Sequence, residues 1–107
     1  MKKFDYQQKI SMMRILLDII NADGRIDIRE KALFDHLKTE FELDDYASHA
    51  VRDKISILAL IDISHFNQEQ KAYFADLMRK MIVVDDDVNV NEVAVYEVVK
   101  DYCKIPD

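Results

Sequence analysis

From Asp5 onward the apolar positions recur at helical intervals. Ile10, Met13, Leu17 and Ile20 share one face, and Asp5 with Gln8 stands ahead of them in capping-box spacing, which predicts a helix ending near Ala22. Beyond Gly24 the spacing returns: Asp27 and Glu30 give a second cap pattern, and Leu33, Phe34, Leu37 and Phe41 follow at intervals of three and four. This predicts a second amphipathic helix, antiparallel to the first. The segment from Asp44 to His49 fits a short helical turn. Residues 51–63 read VRDKISILALIDI and are apolar on nearly every side from Ile55 to Ile63, which predicts a helix at the centre of a bundle.

Near the C-terminus the pattern conflicts. VNVNEVAVYEVV alternates like a strand, and its Val residues favour one. An internal repeat decides the matter. Shifting the first helical pair by 62 residues aligns Phe4 with Phe66, Gln8 with Gln70, Ile20 with Ile82, Asp23 with Asp85, Glu30 with Glu92 and Lys38 with Lys100. The β-branched segment therefore occupies the place of a clear helix, and local strand preference is a weak prior that packing overrides. The expectation is an all-α fold: a compact bundle of five to six helices, in which two pseudo-symmetric hairpins, residues 4–43 and 66–105, enclose a buried connecting helix.

Composition narrows this picture. A chain of 107 residues makes one domain, able to bury roughly 60 to 65% of its unfolded surface. Half of the residues are hydrophobic, which argues against disorder. One Gly and one Pro leave little to break helices or build hairpins. The net charge of −6 disfavours nucleic acid and anionic membrane surfaces as partners. Arg14 and Asp18 interrupt the first apolar run, so no signal peptide is expected, and ISILALI is too short to span a bilayer. A lone cysteine, Cys103, fits a reducing cytoplasm.

The repeat duplicates one acidic motif, as Asp23-Gly24-Arg25-Ile26-Asp27-Ile28-Arg29-Glu30 and as Asp85-Asp86-Asp87-Val88-Asn89-Val90-Asn91-Glu92. An apolar helix, then ADG, an aliphatic residue two places on, a cap residue and Glu resembles the TerB-like family associated with tellurite resistance, whose domain also occurs in membrane-anchored J-domain co-chaperones. The resemblance spans nearly the whole chain. It implies a helical cytoplasmic domain, with Asp23, Glu30, Asp85 and Glu92 as candidate ligands of a divalent cation in a stress response. Asp86 departs from the pattern by standing where the first copy has Gly24, although Asp tolerates left-handed backbone better than most residues.

The same acids also read as helix caps, Asp27 with Glu30 and Asn89 with Glu92, which need no metal. In the first loop Arg25 and Arg29 supply neutralising charge, so capping is the expected role of Asp23 and Glu30. The second loop carries Asp85, Asp86 and Asp87 with no Lys or Arg between Lys80 and Lys100, and a cation would relieve that repulsion. Any bound cation, calcium or magnesium, is therefore expected at Asp85, Asp87 and Glu92 rather than at Asp23 and Glu30, with capping as the alternative role of Glu92. The loop is no EF-hand, since the glycine and the twelfth-position Glu are missing.

No catalytic centre emerges. His36, His49 and His65 lack ligand spacing, Cys103 aligns with Phe41 and reads as buried, and Met12, Met13, Met78 and Met81 read as packing residues. No P-loop, dinucleotide fingerprint or nucleophile motif is found. Two function classes remain: a TerB-like cation-binding domain, and a module that binds a protein partner or a second copy of itself through exposed apolar residues such as Tyr6, Phe74 or Tyr102.

Overall fold

Six helices follow one another in the computed structural model, which describes residues 3–106; Met1, Lys2 and Asp107 of the expected domain lie outside it. They are α1 (Tyr6–Asn21), α2 (Ile28–Glu40), α3 (Asp45–Asp53), α4 (Ser56–Ser64), α5 (Gln68–Val83) and α6 (Val90–Cys103). Among the described residues there is no strand, so the all-α expectation holds.

The two hairpins keep the repeat register: α1 and α5 coincide at both ends, and α2 and α6 start together, with α6 running one residue further. Helices α1 and α5 each start with a complete capping box, Asp5 with Gln8 and Asn67 with Gln70. Each loop turns through a left-handed residue, Gly24 at φ 78° and Asp86 at φ 62°, so the departure from glycine leaves the turn intact. Asp23 and Asp85 brace these turns by accepting from the N–H groups of Arg25 and Asp87. Both hairpins also end alike: Glu42 and Lys104 are left-handed, and the N–H groups of Leu43 and Ile105 bond back to the carbonyls of Lys38 and Lys100. Such a cap occupies carbonyls that the last helical turn leaves open. In the valine-rich segment Val99 and Cys103 enter the core one helical turn apart while Asp101 between them stays exposed, whereas a strand would put all three on one face.

Phe4 and Phe66, repeat equivalents, meet with ring centroids 5.5 Å apart and ring planes tilted by 50°. Equivalent residues that touch must lie close to the pseudo-twofold axis, so the hairpins pack face to face through this pair.

The element at the centre is α1. It packs against all five other helices and buries Ile10, Met12, Met13, Ile15, Leu16, Ile19 and Ile20. The connecting segment differs from expectation in two respects. Its break falls at Lys54 and Ile55, both extended, so the turn expected over Asp44 to His49 lengthens into α3, capped by Asp44, and α4 starts at Ser56. Second, α4 is buried on one face only, with Ala59 and Ile63 inside and Ile57 and Leu58 exposed. The cause is polar. Ser56 donates to Asp18 at 2.6 Å, and Asp62 accepts from Ser11 at 2.6 Å and from Lys54 at 2.8 Å. These bonds fix the rotation of α4 on α1 and leave its surplus aliphatic residues facing solvent. Burial works against ionisation of Asp62, but the Lys54 and Ser11 bonds outweigh it and hold the carboxyl below its usual value.

The partner-facing residues also divide. Tyr6 and Tyr102 are half exposed, whereas Phe74 is fully buried and belongs to the core. Met12, Met13, Met78 and Met81 are all buried, as is Cys103, whose thiol burial pushes up to about 11, well away from nucleophilic use.

Candidate functional site

The two acidic loops, 62 residues apart in sequence, lie side by side. Asn89, the α6 cap, donates from its amide to Asp23 of the first loop at 3.3 Å. Asp23, Asp27, Arg25 and Arg29 from one loop and Asp85, Asp87 and Asn89 from the other line one polar hollow of about 240 Å³. The charge imbalance of the second loop is thus met from outside it: Arg29 lies 3.6 Å from Asp27 and 3.7 Å from Asp86. That contact is highly exposed and worth little, yet it shows that the loops share their basic residues rather than dividing into a neutral one and an acidic one.

Glu30 and Glu92, in the first turns of α2 and α6, are each only 1% exposed. Like Phe4 and Phe66 they are repeat equivalents that meet: each carboxyl group lies close enough to the other to shift its titration. Two carboxylates held this close favour a proton between them. Burial is the main cause that raises both groups; for Glu92 the nearby Glu30 carboxyl and the charges of Asp23 and Asp85 add to it, pushing the group up to about 8. For Glu30 the nearby Glu92 carboxyl and Asp27 N–H work the other way without cancelling the rise. One oxygen of each side chain, Oε2 of Glu30 and Oε1 of Glu92, is buried without a hydrogen-bond partner.

The capping expectation is met only in part. Asp27 accepts from the Arg29 N–H, and Asn89 accepts from Asn91 and Glu92. Neither Glu30 nor Glu92 closes a box with its cap residue; the two carboxyl groups turn toward each other instead. Asp23 and Asp85 are half buried beside this pair, whereas Asp87 is exposed and enters through its backbone N–H, bonded to Asp85. Among the described residues no three Asp, Glu, His or Cys side chains stand in metal-ligating geometry. The sequence signal for the Glu pair was the repeat itself, since equivalents close to a twofold axis meet their own copies.

No protein-family model matches the chain, and no curated protein does. A solved structure does: a protein of unknown function from Porphyromonas gingivalis superposes with a TM-score of 0.84 at 22% identity, over 100% of this chain and 84% of that one. At that identity the likeness shows the fold alone.

Proposed function

We propose that this is a TerB-like domain that binds a hard divalent cation, calcium or magnesium, where its two acidic loops meet. The observation that carries the reading is the pair of buried, unpartnered oxygens on Glu30 and Glu92. A domain needing only a core would be at least as stable with apolar side chains there, because burying a carboxyl group without full hydrogen bonding costs free energy. Oxygens that burial has left without hydrogen bonds are suited to a cation. Glu30 and Glu92 would hold it, with Asp23 and Asp85 beside them and Asp87 at the wall of the hollow. The donors are all oxygens, which favours calcium or magnesium over zinc. A cytoplasmic sensor or accessory in a stress response is the role the family resemblance attaches to such a domain.

The test is a calorimetric titration of the metal-free protein with calcium and with magnesium, alongside melting temperatures. Saturable binding is expected, and at a hundred times the dissociation constant the stabilisation is about 2.7 kcal/mol, a rise on the order of 10 °C for a domain this small. Glu30→Gln and Glu92→Gln should each abolish it, and Asp87→Asn should weaken it less. Absence of heat and of any melting shift at millimolar cation would leave the acids as structural groups only.

The exposed face of α4 favours a second reading, an interaction module. Ile55, Ile57, Leu58 and Ile61 reach solvent, and α6, which packs on α4, adds exposed Val98 and Tyr102. Apolar residues grouped in this way are characteristic of interfaces. Sedimentation should then show mass rising with concentration in the wild type and a monomer in Ile57→Glu with Ile61→Lys. A wild type that stays monomeric across that range counts against self-association.

A further inference from the structure

A second cavity lies between α1, α2 and α3, sharing no residue with the acidic loops. It measures about 260 Å³ and is walled by Met13 and Leu17 of α1, Phe34 of α2, Leu43 of the α2–α3 turn and Val51 of α3. The surface it presents is almost wholly apolar. Its two charged lining residues, Lys38 and Arg52, are both cations, in a chain with 21 acidic and 15 basic residues.

The fold does not require this hollow. The repeat equivalents of Leu17 and Phe34 are Arg79 and Tyr96, and there the guanidinium closes onto the phenol oxygen at 3.0 Å. One copy of the position is thus polar and self-satisfied, and the other is apolar and open. On the rim, near the end of α3, Arg52 is exposed and contacts His49, while the Arg14 guanidinium bonds the Arg52 carbonyl at 3.1 Å and ties that end of α3 to α1. Lys38 is half buried, and its ammonium lies 3.3 Å from the fully exposed carboxylate of Asp45, a contact that water and incoming anions compete with. No carboxylate lines the cavity itself.

We propose that this cavity binds an aliphatic monocarboxylate, its chain among Met13, Leu17, Phe34, Leu43 and Val51 and its carboxylate at the rim, where Lys38 and Arg52 supply the charges of the lining. The size suits a chain of about eight carbons, at roughly 30 Å³ for each group the size of a water molecule, and lies just under the usual lower bound of about 300 Å³ for small-molecule pockets. Apolar walls supply the affinity and the two cations select the head group. The Lys38 ammonium acts as a point charge, and the Arg52 fork matches a carboxylate.

The experiment is a two-dimensional NMR titration of the isotope-labelled chain with octanoate, octan-1-ol and octylamine, each below its aggregation threshold. Octanoate should shift the amides around Leu17, Phe34, Leu43, Ala47 and Val51 saturably. Octanol should bind there at least tenfold more weakly, and octylamine should give no saturable shift at the cavity. Lys38→Met with Arg52→Met should cost octanoate tenfold or more and leave octanol unchanged. Both side chains reach solvent, so the fold should survive, and Lys38→Met alone gives a milder version of the same comparison. Ser48→Phe, which places a ring against the lining, should exclude octanoate and octanol alike. Equal affinity for the three probes, indifference of octanoate to the charge variants, or shifts scattered away from the cavity would each overturn the proposal. So would the absence of any octanoate shift. Cation binding at the acidic loops can fail without touching any of these outcomes.

Discussion

Between pH 5 and pH 8 the unfolding free energy of the metal-free protein should fall by about 2 to 3 kcal/mol, and Glu92→Gln should remove most of that fall. In the folded chain burial and the neighbouring Glu30 raise Glu92 from 4.5 to about 8. Over that interval the folded state retains a proton that the unfolded chain has released, so stability declines as pH rises. The stabilising contribution is complete below about 4.5 and gone above about 8. At 1.36 kcal/mol per pH unit the full span approaches 5 kcal/mol, but the effective dielectric around buried ionisable groups is higher than that of a dry interior and lowers it. Glutamine can donate to Glu30 at every pH, so the variant should match the wild type near pH 5 and exceed it near pH 8. Urea unfolding in a chelating buffer at three pH values measures this. A flat profile shared by wild type and variant would mean that the two carboxyls do not share a proton. Asp62 acts in the opposite sense, since its lowered value stabilises the fold above the ordinary aspartate range and the benefit is lost only in stronger acid.

Phe74→Ala should cost about 3 to 5 kcal/mol, the usual range for removing a buried ring, while Tyr6→Ala and Tyr102→Ala should each cost less than about 1 kcal/mol. All three were equivalent candidates for a partner-facing role, and burial alone separates them: Phe74 is wholly inside and the tyrosines are nearly half exposed. Denaturation midpoints at pH 6 would establish the order. A Phe74→Ala variant as stable as the tyrosine variants would place α5 with the wrong face inward. Because a loss of this size approaches the whole stability of a small domain, circular dichroism of the purified variant is part of the measurement.

The helices were legible because their signals are local. Asp5 with Gln8 and Asn67 with Gln70 mark starts by residue type and spacing, and each capping box forms within four residues. The valine-rich α6 was not legible on local grounds, since Val88 and Val90 flank Asn89 in strand alternation; the repeat register placed it in a helix. The α4 rotation was illegible for the opposite reason. Its composition says that it should be buried all round, while Ser56 and Asp62 choose its inner face by bonding to Asp18 and Ser11, 38 and 51 positions away respectively.

The sequence by itself determined the helical class, the duplicated hairpin and the identity of the acidic residues. Each of these follows from periodicity or comparison of the chain with itself, neither of which needs a third dimension. Only the tertiary structure decided that α1 rather than the connecting helix is central, that Phe74 lies in the core, and that the two acidic loops form one site instead of a basic-compensated loop and an acidic one. Within one loop Glu30 and Glu92 each read as half of a cap, with a backbone N–H as partner. Their carboxyl groups meet because the pseudo-twofold packing of the hairpins carries both first turns to the same axis, and whether a repeat packs face to face or end to end depends on which apolar stripes exclude water together.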